Sequence, residues 1–131
     1  MPTKSVVVCA SKRYAKEVAA FCNELESLGV TVFRPNISEP IFENEMHVTP
    51  HITRMLFKGL TLEHFDMIRK ADACYVHNID GYAGVSVSME MGYATALGKP
   101  LYALNPTTGD PCRDSLIDRV TPTAAALAAQ L

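Results

Sequence analysis

Between Asp80 and Lys99 the sequence carries a single charged residue, Glu90. Its neighbours are apolar or small: Gly84-Val85-Ser86-Val87-Ser88-Met89 before it, Met91-Gly92-Tyr93-Ala94 after it. A lone carboxylate on so apolar a segment is expensive to bury unless something compensates. Two readings compete. Either Glu90 complements the positive end of a helix dipole from an exposed face, or it sits in a cleft, where buried carboxylates are site candidates. Its place four residues after Ser86, early in an expected helix, favours the cleft. The dipole would then help keep it ionised, as a nucleophile requires.

Two loops could serve such a carboxylate. The first is Asn78-Ile79-Asp80-Gly81-Tyr82-Ala83-Gly84. Asp80-Gly81 has the chemistry of a tight turn. Gly84, Ser86 and Ser88, at a helix start, can offer backbone N–H groups and hydroxyls to an anion or a sugar. The second loop is Cys9-Ala10-Ser11-Lys12-Arg13. Ser11 suits a helix N-cap as well as a phosphate contact. Arg13 is either a solvated cation or a bidentate phosphate clamp.

Metal chemistry is not expected. His47 and His51 have helical spacing, but Pro50 lies between them and no third ligand is evident. Glu39, Glu43 and Glu45 read as the solvated face of a loop. The four cysteines lack Cys-x-x-Cys spacing, and Cys9 and Cys74 lie in apolar runs. They read as buried free thiols in a reducing cytosol.

A fold must hold these groups together. Apolar, β-branched runs at 5–10, 30–33, 73–76 and 101–104 read as strands, with a weaker one at 116–120. Helical spacing marks 14–28, with Gly29 placed to close it, then 61–70, 86–97 closed by Gly98, and the Ala-rich 123–131. Gly92 and Ala96, four apart, are expected to let the third helix approach the sheet closely. Residues 35–60, with Pro40 and Pro50, show no clear period. They read as a long irregular segment of the kind that forms a lid or binding loop, or as one holding a short helix at 52–57.

Alternating strands and helices imply an α/β fold. The expectation is a flavodoxin-like, Rossmann-like three-layer sandwich with a five-stranded parallel sheet in the order 2-1-3-4-5. Its topological switch point lies between strands 1 and 3, where ligands bind beyond the carboxyl ends. The loops 9–13 and 77–85 should therefore meet at one crevice.

The 131 residues suit one domain spanning 1–131. A formal net charge of −2, with no basic stripe, argues against nucleic acid as a partner. No segment approaches a membrane span, and the apolar run at 6–10 gives way at once to Lys12 and Arg13, unlike a signal peptide. A cytoplasmic protein with no cofactor is expected.

The run Asp72, Asn78-Ile79-Asp80-Gly81-Tyr82, Ser86, Glu90-Met91-Gly92-Tyr93-Ala94 and Leu97-Gly98-Lys99-Pro100 resembles the nucleoside 2-deoxyribosyltransferase superfamily, which includes deoxynucleoside 5′-monophosphate N-glycosidases. Glu-x-Gly-x-Ala followed by Gly-Lys-Pro is the most specific part. The loop at 9–13 resembles the phosphate-contacting loop of the nucleotide hydrolases. The resemblance implies that Glu90 attacks the anomeric carbon in a retaining, double-displacement reaction through a glycosyl-enzyme ester. It implies that Ser11, Arg13 and Ser86 hold a phosphate, while Asn78, Asp80, Gly81, Tyr82, Gly84 and Ser88 line the sugar or base pocket. The partner would be a small nucleoside or nucleotide, and the chain would form a homodimer or higher homo-oligomer.

Two positions depart from the pattern. His64 and Gly84 stand where the superfamily carries aspartates. His64 becomes the candidate proton donor, since an unperturbed imidazole titrates near neutrality. The same departures suit an alternative, a nucleotide-binding module without catalysis, and a third reading, a scaffold that has lost its ligand.

Overall fold

The computed structural model describes residues 4–37 and 49–131. In chain order its elements are β1 (Ser5–Cys9), α1 (Ala15–Ser27), β2 (Thr31–Phe33), α2 (Pro50–Lys70), β3 (Ala73–Val76), α3 (Val85–Ala96), β4 (Leu101–Ala103), α4 (Pro111–Asp114), β5 (Arg119–Val120) and α5 (Ala124–Gln130). The strands form one parallel sheet in the order β2-β1-β3-β4-β5, as the alternation of elements predicts. Val7 of β1 stands in register with Phe33 of β2 and with Cys74 of β3.

The central strands are apolar throughout because both faces of the sheet are covered. Val6 and Val8 pack with Phe21 and Leu25 of α1 and Leu127 of α5. Val7 and Cys9 point the other way, towards Ile68 of α2 and Val87, Met91 and Ala94 of α3. These are the three layers. Just beyond α1 and α3, Gly29 (φ +85°) and Gly98 (φ +71°) adopt the left-handed conformation that ends a helix without a Cβ clash.

Three expectations about the elements are corrected. The described part of the segment 35–60 is not irregular from residue 50 onward. Residues 50–70 form one 21-residue helix, α2. Thr49 caps it by accepting from the Ile52 N–H, and Pro50 occupies the first turn. Only His64 and Ile68 of this helix are buried. Its first half lines a cleft with Leu56, Phe57 and Leu60 at helical spacing, while Ile52 and Met55 are further exposed apolar residues outside that lining, so the period is blurred in the sequence.

In α3, Val87, Met91 and Ala94 face the sheet, while Gly92 is exposed with open space around it. Close approach at Gly92 and Ala96 is therefore wrong by about a third of a turn. The last strand is shorter than expected, with Leu116 and Ile117 packing into the core before it begins. The one-turn helix α4 was not expected at all. His51 lies exposed on α2, whereas His47, Pro40, Glu39, Glu43 and Glu45 lie outside the described residues. No helix among the described residues is long and apolar enough to cross a membrane.

Candidate functional site

A cleft of about 620 Å³ opens where β1 and β3 end, at the switch point of the sheet. The Ala10–Lys12 loop forms one side. The start of α3, from Gly84 to Glu90, forms another. The inner face of α2, with Leu56, Phe57 and His64, closes the third.

The structure brings Ser11, His64, Tyr82, Gly84, Ser86 and Glu90 to this cleft. Five other residues singled out in the sequence do not line it. The Arg13 guanidinium lies over the Tyr82 ring, 3.9 Å from its centroid, in a cation–π contact. Ser11 accepts from the Arg13 N–H, so it does serve as a local cap. Asp80 (φ +55°) and Gly81 (φ +73°) make a left-handed turn, and a Cβ on Gly81 would stand 3.4 Å from the Thr107 carbonyl oxygen.

Asn78 is fully buried. Its Nδ2 donates to the carbonyls of Asn105 and Thr107, and its Oδ1 accepts from the Asn105 N–H. Its amide is committed to joining the ends of β3 and β4 and has nothing left for a ligand. Ser88 is also committed. Its hydroxyl donates to the Gly84 carbonyl at 2.8 Å and accepts from Arg113 at 2.9 Å.

Arg113 is the residue that pattern reasoning missed. One terminal nitrogen donates to the Ala83 carbonyl and the Ser88 hydroxyl, and the other to the Thr108 carbonyl, while Nε donates to the Thr108 hydroxyl. It ties the wall that carries Gly84 to the loop after β4. The signal was available in Asp110-Pro111, a cap followed by a first-turn proline. Asp110 does cap α4, accepting from the Cys112 and Arg113 N–H groups.

Three potentially reactive groups meet at the floor of the cleft. His64 Nε2 lies 3.5 Å from Glu90 Oε1 and 3.4 Å from Cys9 Sγ. The Glu90 and His64 side chains are only 13% and 7% exposed. Burial pushes the Glu90 carboxyl up to about 8, and a hydrogen bond from Cys9 pulls only weakly the other way. The expectation of a dipole-ionised Glu90 fails for a simple reason. Glu90 sits in the second turn of α3, past the first-turn N–H groups that carry the dipole's charge.

Burial pushes His64 down to about 4. At neutral pH it is a neutral imidazole, so the expected role as a charged acid is not available to it. Desolvation, aided by the nearby Glu90 charge, holds the Cys9 thiol well above its usual range. Asp66 turns away from the cleft and pairs with Arg69 and Lys70. The sequence separates Cys9, His64 and Glu90 widely, and only the fold makes them neighbours.

No family model and no curated protein sequence matches the chain. Solved structures do. One is the 2-deoxyribosyltransferase of the psychrotolerant bacterium Bacillus psychrosaccharolyticus, with a TM-score of 0.64 at 21% identity, covering 95% of this chain and 90% of that one. Another is a conserved protein from Enterococcus faecalis V583, with a TM-score of 0.64 at 12% identity, covering 98% of this chain and 96% of that one. The chain thus shares its fold with these two proteins over nearly its whole length.

Proposed function

We propose that the chain, acting as one domain, cleaves the N-glycosidic bond of a nucleoside or nucleotide through a glycosyl ester on Glu90. The observation that carries this reading is the Glu90 carboxyl itself, nearly buried at the floor of a cleft at the switch point. A carboxylate oxygen would bond to the anomeric carbon as the bond to the base nitrogen breaks. Glu90 attacks as the carboxylate, and the departing base takes the proton it must gain from solvent water entering the cleft. Water, or a second base, would then displace the ester and regenerate the carboxyl. Tyr82 lines the cleft with one face of its ring covered by Arg13, and would contact a sugar or base there. Ser11 and Ser86 lie within the same cleft and would take a 5′-phosphate.

The test is release of free base from a panel of ribo- and deoxyribonucleosides and their 5′-monophosphates. Glu90→Ala should lower it by at least about a thousandfold. Equal activity in the variant and the wild type would remove Glu90 from the mechanism. A second reading, a nucleotide-binding module without turnover, is favoured by the uncharged state of both Glu90 and His64 near neutrality. It calls for saturable binding without base release, preserved in Glu90→Gln.

A further inference from the structure

Cys9, His64 and Glu90 come from three rigid elements: the end of β1, the middle of α2 and the second turn of α3. Their ligand atoms, one sulfur, one imidazole nitrogen and one carboxylate oxygen, all lie within 4.8 Å of one another. A tetrahedral zinc ion with bonds of about 2.3 Å to sulfur and about 2.0–2.2 Å to nitrogen and oxygen holds those atoms roughly 3.4–3.6 Å apart. The observed separations are 3.4 Å from Cys9 Sγ to His64 Nε2 and 3.5 Å from His64 Nε2 to Glu90 Oε1. Two edges of the tetrahedron are therefore already the right length without any movement of the backbone.

We propose that Cys9 Sγ, His64 Nε2 and a Glu90 oxygen form a three-ligand site for a zinc-class divalent cation, with the fourth position open to the cleft. Three protein ligands and one open position is the arrangement of zinc sites that accept water or a substrate atom. Mixed sulfur, imidazole and carboxylate donors favour zinc and cobalt over magnesium or calcium, which take oxygen ligands. The lining supports an open coordination position, because His64 and Glu90 both face the cleft. Cys9 is fully buried behind them. On binding, the Cys9 thiol proton, and any proton on Glu90, leave for solvent while sulfur and oxygen each donate an electron pair to the ion.

This inference stands on the three side chains and does not require the glycosidic reading. It does constrain that reading, because an oxygen bound to a cation is withdrawn from attack on a sugar. The metal-bound and the glycosylating forms of the site exclude one another.

Cobalt(II) titration of the purified protein tests the site directly. The expected result is one cobalt per chain, with thiolate-to-cobalt charge transfer in the near ultraviolet and the intense visible bands of a four-coordinate ion, both erased by added zinc. Cys9→Ser should remove the charge-transfer band. His64→Ala and Glu90→Gln should each weaken binding at least about tenfold. Cys112→Ser, which changes the exposed thiol, should alter nothing.

Absence of bands at millimolar cobalt would overturn the proposal. So would a charge-transfer band that survives Cys9→Ser or disappears in Cys112→Ser. Circular dichroism checks each fold. If Cys9→Ser does not fold, loss of the band in folded His64→Ala supports the site, and its survival there with undiminished affinity overturns it. Base release is read separately. A protein without glycosidic activity that still gives the cobalt spectrum retains the metal site, and one with activity but no spectrum does not have it.

Discussion

The carboxyl of Glu90 is held in its neutral form by burial, and this has consequences in both rate and stability. A nucleophile must be ionised, so base release should rise with pH and level off above about 8, where Glu90 has lost its proton. A rate profile flat from pH 6 to 9 would contradict this. Stability should move the other way. Glu90 titrates from about 4.5 when unfolded to about 8 when folded, so between those values the folded chain holds the extra proton and stability falls as pH rises. His64 opposes this lower down. Its shift from 6.5 to about 4 makes stability rise with pH across that interval. Between pH 6.5 and 8 only the Glu90 contribution of this pair remains. Thermal unfolding should show Tm falling over that window in the wild type and a shallower slope in Glu90→Gln. The lone charge was legible in the sequence, because an apolar helix advertises its one carboxylate. Its neighbours were not. Cys9 and His64 are separated by 55 residues and touch only through the fold.

At the scale of elements, the ends of β3 and β4 are fastened by Asn78. The fully buried Asn78 side chain makes three hydrogen bonds to the half-buried Asn105 and the exposed Thr107. Asn78→Ala would strand the Asn105 N–H and two carbonyls, and should cost about 2–4 kcal/mol in urea unfolding. A loss below about 0.5 kcal/mol would mean that water replaces those bonds. The sheet was readable because its strands are short apolar runs separated by helical periods. The first half of α2 was not, since Pro50 punctuates it and the exposed Ile52 and Met55 blur the period set by the cleft-lining Leu56, Phe57 and Leu60. The four-residue α4 was too brief to show any period, though its cap and proline were present. That omission concealed Arg113 and with it the way the Gly84 wall is anchored.

For the whole molecule, the strand order places one crevice beyond the carboxyl ends, and ligand binding there should stabilise the entire chain. At one hundred times its Kd, a nucleoside or nucleotide adds about 2.7 kcal/mol, or roughly 10 °C in Tm for a chain of this size. The shift should persist in Glu90→Gln, which keeps the shape of the cleft. No shift with any member of the panel would count against both the catalytic and the binding readings. One further consequence attaches to Glu90, a buried carboxyl that gains a full charge only at the expense of the fold. In a laboratory selection for heat tolerance at mildly alkaline pH, with no demand for activity, position 90 should be among the first to drift, towards Gln, Met or Leu.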